Sequence, residues 1–229
     1  MIKLTHQSQL LILLMLPKFL VLKFISVTTF VVVLESQSIA FIASNKTKKH
    51  TQENNYGFVT LQQKVTEDEV LEDIFQHHTD KLNVFLDAGG NPDKFLHSAV
   101  NTGSRECVEI MLKRGANVNA IDISNDNVTP LMVAARHTYR VGSEMSEFLI
   151  KSGATVNARA SRGSTPIMFA AWGTAVHYED EYVKVVKLLI KNGAKVNVRN
   201  NMGSTPLKIA RSGNWKKITA VLIKAGAKS

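Results

Sequence analysis

Two short clusters carry side chains that could do chemistry. His77-His78 with Asp80 has the types to ligate a metal ion, and His177-Tyr-Glu-Asp-Glu-Tyr182 crowds an imidazole, carboxylates and phenols together. Imidazole nitrogen and carboxylate oxygen are ordinary metal ligands. The second could bind a cation or a basic partner, but the plainer readings are a solvated helix end for the first cluster and a solvated loop for the second. The single cysteine, Cys107, can make neither an internal disulfide nor a Cys-rich zinc site. Met111, Met132, Met145 and Met168 fall at helical spacing, where core packing is the default. No nucleophile elbow, phosphate-cradling loop or zinc-protease helix is present, and no cofactor is implied.

The formal net charge is +9 over 229 residues. That permits acidic proteins, anionic membranes or nucleic acid as partners. Nucleic acid is the weakest of these, because the basic residues are dispersed among acids and lack an aromatic stacking platform.

The elements that must position these residues fall into three stretches. Residues 1–40 hold two apolar runs, Leu10 to Leu16 and Phe19 to Leu34. With Lys18 and Lys23 ahead of Phe24 to Leu34, and Ser38-Ile39-Ala40 supplying small residues, the segment reads as a signal peptide cleaved after Ala40. A start at Met15 would give a leader of ordinary length. The rival is an uncleaved anchor helix over roughly residues 10–34, since a spanning helix needs about 20 apolar residues. Residues 41–65 are polar and aperiodic, a disordered spacer. Asn45-Lys-Thr47 and Asn127-Val-Thr129 match the glycosylation sequon, a short and unspecific pattern.

From residue 66 onward the chain repeats itself. Gly163-Ser-Thr-Pro166 returns as Gly203-Ser-Thr-Pro206, and Thr-Pro also stands at 129–130. Gly-Ala pairs at 115–116, 153–154, 193–194 and 226–227 each follow an apolar helical run, and three of them continue into Val-Asn. Thr before Pro starts a helix, since the hydroxyl can cap free amides and Pro loses no needed donor at the first position. Glycine after an apolar helical run stops it in the left-handed region. Each unit is therefore helix, turn, helix, glycine stop and a polar hairpin-like connection.

This pattern resembles the ankyrin repeat, with its 33-residue period and Thr-Pro-Leu-His-x-Ala signature. The resemblance covers residues 94–229 as four units, about 94–126, 127–162, 163–202 and 203–229, behind a degenerate cap at 66–93. It implies an all-α solenoid of stacked helix-turn-helix units. The signature His survives only at His97, read as structural, and is replaced by Met132, Met168 and Lys208. Cys107 stands where the family places Val or Ile, so it reads as a small core residue. Relative to the Pro206–Gly226 span, Pro130–Gly153 is longer by three residues and Pro166–Gly193 by seven; the larger insertion lies within 173–182.

The family generally binds proteins through hairpin tips and the exposed side of the first helices. Carried onto this chain, the tips are Ile121, Asn125, Asp126 and Val128; Arg159, Ser161, Arg162 and Ser164; and Arg199, Asn201, Met202 and Ser204. The first-helix positions are Asn101, Arg136, His137, Trp172 and Ser212. The expectation is an exported, secreted or periplasmic, monomeric and non-enzymatic adaptor whose partner presents an acidic patch. Arg136, Arg159, Arg162 and Arg199 would line one groove beside Trp172, Met202, Asn125 and Asp126. Two rivals stand: a membrane-tethered scaffold, and a metal or enzymatic role for the 173–182 loop.

Overall fold

A computed structural model describes residues 30–35, 38–43, 65–137, 142–173 and 176–228. The chain divides into two units, Met1–Thr60 and Leu61–Ser229.

In the first unit, β1 (Phe30–Glu35) pairs antiparallel with β2 (Ser38–Ala43), from Phe30 opposite Ala43 to Glu35 opposite Ser38. The second half of the stretch read as a leader, with an anchor helix as its rival, thus carries a strand pair. Phe-Val-Val-Val and Ile-Ala-Phe-Ile are rich in the β-branched and aromatic types that favour a pleated surface. The strand also carries Phe41 to Ala43 out of the expected spacer. The remainder of the leader, the Met15 start and residues 44–64 lie outside the described residues. Among the described residues no helix is long and apolar enough to cross a membrane.

The second unit holds ten helices among its described residues, taken in pairs. The cap pairs α1 (Glu67–Phe75) with α2 (Asp80–Asp87). Thr66 and Glu69 form a capping box at the start of α1: Glu69 N–H donates to Thr66 Oγ1 at 3.3 Å, and Thr66 N–H to Glu69 Oε2 at 2.8 Å. The Thr66 N–H and hydroxyl, both donating to Glu69 Oε2, lower the Glu69 pKa. Four units follow: α3 (Leu96–Thr102) with α4 (Arg105–Lys113), α5 (Pro130–Arg136) with α6 (Gly142–Lys151), α7 (Pro166–Trp172) with α8 (Glu179–Lys191), and α9 (Pro206–Ser212) with α10 (Lys216–Lys224).

First helices stack on first helices, α1 through α9, and α6, α8 and α10 stack behind them. One apolar seam runs the length of the stack, through Ile74, Leu96, Met111, Leu131, Leu149, Ile167, Leu189, Leu207 and Leu222. Met132 and Met168 lie in the same interior. In the first full unit Phe95 replaces the usual Pro, and its ring meets Phe85 of the cap edge-on at 5.2 Å. That contact joins the degenerate cap to the regular stack.

The Val-Asn pairs prove to be the staples between units. Asn119 Nδ2 donates to Gly153 O at 3.2 Å while its Oδ1 accepts from Thr155 N–H at 2.7 Å. Asn157 does the same to Gly193 O and Lys195 N–H, and Asn197 to Gly226 O and Lys228 N–H. Each asparagine thus satisfies groups left open beyond a helix end in the next unit. The stop itself needs a left-handed residue, and Gly153, at φ 94°, supplies it without a Cβ clash. The N-caps are less uniform than the Thr-Pro repeat suggests. Thr205 Oγ1 accepts from Lys208 N–H at 3.1 Å. Thr165 Oγ1 is buried and has no partner among the described residues.

Candidate protein-binding face

Connections between units build a row of hairpin tips. In the first, Asp122 N–H donates to Val128 O at 3.0 Å and closes a small bridge. Adjacent tips are tied through backbone: Ser161 N–H to Asp126 O at 2.8 Å, and Asn201 N–H to Arg162 O at 3.0 Å. The tips are therefore one continuous strip rather than independent loops.

Asn125 is exposed and Asp126 half-buried on the first tip, with Asp126 in the left-handed region at φ 56°. Arg162 lies 3.8 Å from the Asp126 carboxylate, a loose pair. Arg159 reaches across to the next tip and donates to Arg199 O at 2.9 Å, and Arg199 donates to Gly203 O at 3.0 Å. Both arginines are held by carbonyls, and among the described residues neither meets a carboxylate. Met202 stands 63% exposed on the last tip. Buried Asn200 shapes that tip, its Oδ1 accepting from the N–H groups of Met202 and Ser204.

Two expected tip residues are not on the surface. Val128 is buried in the apolar core, and its carbonyl receives both the Asp122 N–H and the His97 ring, whose Nε2 lies 3.0 Å away. Ser164 is buried with Asn200 Nδ2 3.4 Å from its Oγ. His97 is structural as expected, linking its own unit to the next. Asn127-Val-Thr129 leads into this same interior, with Val128 and Thr129 both buried.

Arg136 does not join the tip arginines in their bonding. It closes α5, its guanidinium 5.9 Å above the Phe169 ring and its Nε 3.1 Å from His137 Nε2. Burial and the adjacent Arg136 charge push the His137 pKa down. The Cys107 thiol is buried, 3.1 Å from His78 O, and burial pushes its pKa up.

Trp172 ends α7 with 60% of its surface exposed. Beside it a cleft of about 480 Å³ opens between α7, α9 and the Met202 tip. The cleft floor is Trp215, buried to 5% exposure, a residue the repeat pattern did not single out. Its Nε1 donates to Trp172 O at 3.1 Å and its ring lies 5.5 Å from Tyr182. Gly173 makes room for that ring: at φ 46°, an added Cβ would fall 2.3 Å from Trp215 Cζ2. Trp215 could have been suspected from the turn residues just before it, Gly213 and Asn214, and from its place at a helix start.

The insertion is not the solvated loop expected from its composition. A short 3₁₀ turn, Val176–Tyr178, leads into α8, whose first turn is Glu179, Asp180 and Glu181. Acidic residues suit a helix N-terminus. Each carboxylate also braces a neighbour. Glu179 Oε1 accepts from Lys217 N–H at 2.7 Å, Asp180 pairs with Lys217 Nζ at 2.8 Å, and Glu181 accepts from Ser143 Oγ at 3.2 Å. Tyr182 is buried, its hydroxyl donating to Arg136 O at 3.0 Å. Among the described residues no group of three His, Cys, Asp or Glu side chains is placed to hold a metal ion, in the insertion or at His77-His78.

Missed altogether was Ile123, 82% exposed on the first tip, whose only signal was an apolar β-branched residue in a polar connection.

A family model for ankyrin repeats, written as three copies, matches residues 67–160 and again 142–229. A B-cell lymphoma 3 protein homolog of Mus musculus is 38% identical over 76 residues, 33% of this chain and 16% of that protein. Glycerophosphocholine phosphodiesterase gde1 of Schizosaccharomyces pombe is 37% identical over 101 residues, 41% of this chain and 8% of that protein. The chain thus spans a small part of either relative's length. Between the two family-model matches, nearly all of the second unit is accounted for. The stacked pairs, the glycine stops and the His97 bridge agree with those matches, and the chain belongs to the ankyrin-repeat family.

Proposed function

We infer that this chain, as ankyrin repeats generally do, serves as a protein–protein interaction module without enzymatic activity. We propose that this chain is an adaptor whose partner lies across the tips and first helices of its third and fourth units. The observation that carries this is Trp172, held open beside Met202 on a rigid backbone. Exposed aromatic and arginine side chains are the types that dominate interface energetics. Arg159, Arg162 and Arg199 favour a partner presenting carboxylates, since guanidinium matches carboxylate geometry. Capture of a cognate partner by the full chain, compared with a Trp172→Ala and Arg162→Ala double variant, tests this. The expected result is loss of capture. Equal capture by the double variant overturns it.

Action outside the cytosol is part of the same proposal and rests on Lys18, Lys23 and the apolar run to Leu34. Sequencing the mature N-terminus checks it: a chain beginning at Phe41 supports export, and an intact N-terminus in the membrane fraction supports the tethered alternative.

A further inference from the structure

We propose that the cleft between α7 and α9 receives one large apolar side chain of a short acidic segment in a partner protein. This rests on the adaptor reading and narrows it from an acidic patch to a linear motif with an apolar anchor. Three observations converge. The first is shape and lining. About 480 Å³ is open beside Trp172, Met202 and Ile209, over the indole of Trp215. Trp172 and Met202 are the two large apolar side chains on its rim that stand well exposed. An opening of that size, apolar with a few polar groups at its edge, is of the kind that takes a compact group rather than a flat surface.

The second is charge. Lys208 lines the cleft, Ser212 and Asn200 supply neutral polar groups, and no Asp or Glu lines it. Lys208 is exposed and has no ion-pair partner among the described residues. The tips alongside add Arg159, Arg162 and Arg199 against two carboxylates, Asp122 and Asp126. On the second helices Lys113, Lys151 and Lys184 pair with Glu109, Glu147 and Glu181, while Lys187, Lys191, Lys216 and Lys224 have no ion pair among the described residues. What sets the cleft apart is its lining, where Lys208 stands among apolar and neutral polar side chains with no Asp or Glu beside it.

The third is what the charge excludes. A second copy of this chain carries +9. The Met1–Thr60 segment carries Lys3, Lys18, Lys23, Lys46, Lys48 and Lys49 against Glu35 and Glu53. The first sixty residues thus lack the acidic flank, and the acid-rich run of a second copy, Glu67 to Asp73, is folded into α1 with Val70 and Ile74 buried rather than offered as a short free segment. The complementary occupant is a separate chain with Asp or Glu within a few residues of a Leu, Ile, Met or aromatic anchor.

Rigidity of the site supports a preformed socket. Trp215 is fixed from three sides, by its bond to Trp172 O, by the Tyr182 ring and by Gly173. Binding then needs little reordering, which lowers the entropic cost of holding a short segment.

The test is selection of a displayed library of random twelve-residue peptides on the full chain. The enriched peptides are then made synthetically and titrated against wild type, Trp172→Ala, Met202→Ala, Lys208→Glu and Lys187→Glu. The expected result is enrichment of one large apolar residue with two or more acids close to it. Affinity should fall tenfold or more for Trp172→Ala and Lys208→Glu, and stay within twofold for Lys187→Glu on α8. Circular dichroism of each variant confirms that its helices are retained, and Met202→Ala, on an exposed tip, gives a second reading should Trp172→Ala unfold. Three outcomes overturn the inference: enriched peptides without acids, affinity indifferent to Trp172, Met202 and Lys208, or no enrichment. A dimer dissolved by Trp172→Ala in sedimentation would give the cleft to a second copy and also overturn it. In each case, loss of cognate-partner capture by the Trp172→Ala and Arg162→Ala double variant would still stand as separate support for the adaptor reading.

Discussion

Two tryptophans separated by one hydrogen bond have opposite environments, and that contrast is directly measurable. Trp172 is exposed and Trp215 buried, and the chain has only these two. In a Trp172→Phe variant the remaining emission should be blue-shifted and poorly quenched by acrylamide. In Trp215→Phe it should be red-shifted and readily quenched. Identical spectra would remove the described geometry of the cleft. Tyr182→Phe deletes the bond to Arg136 O while keeping the ring on Trp215, and should cost about 1 kcal/mol in urea unfolding. His137 carries a pH dependence. Its folded pKa lies below the ordinary value of about 6.5, so the unfolded chain binds the proton more readily. Stability should therefore rise with pH through the window between the two values, and His137→Gln should flatten that rise in pH-dependent denaturant melts.

At the scale of elements, α8 shows how an insertion became architecture. Its extra residues lengthen the second helix at its start and aim carboxylates at α10 and α6, so the third unit is clamped to both neighbours. Gly173 sets the geometry where α7 ends. Gly173→Ala should destabilise by about 3 kcal/mol, combining a left-handed backbone with a clash into Trp215. Gly203→Ala, which has open space around its Cβ at φ 72°, should lose only the backbone part, about 1 kcal/mol. The N-caps differ likewise. Thr205→Val removes a formed cap and should cost about 1 kcal/mol. Thr165→Val replaces a buried hydroxyl lacking a partner and should be neutral or slightly stabilising in the same thermal melt.

These elements also show what could be read before any coordinates. Thr-Pro, Gly-Ala and Val-Asn are local signals that recur, so helix starts and stops were legible, as was His97. The reason for Val-Asn was not, because its bonds run to the following unit some 36 residues on, as for Asn119 to Thr155. Glu179, Asp180, Glu181 and Tyr182 misled for a related reason. Acidic and aromatic residues in a run look solvated, but whether they brace neighbours depends on which helices lie opposite. Trp172 was found from its position in the repeat. Trp215 was missed because its importance comes from contacts across units.

At the scale of the whole molecule, stability in a stack of this kind is approximately a sum of unit and interface contributions. The asparagine staples are interface contributions, each joining one unit to the next. Asn157→Ala should therefore cost about 1–3 kcal/mol, since it leaves Gly193 O and Lys195 N–H without their partner. Equilibrium melts should also broaden as the third unit uncouples from the second. The same staples and tip-to-tip bonds keep the strip of arginines and the cleft in one fixed relation, as a preformed recognition surface requires. The most direct measurement of the central claim is amide hydrogen exchange of the full chain with and without its captured partner. Slowed exchange across 199–213 and at the tips 159–164, with α8 and α10 unchanged, is the predicted result. Protection confined to α8 and α10, with the tips and α9 exchanging as in the free chain, would contradict it.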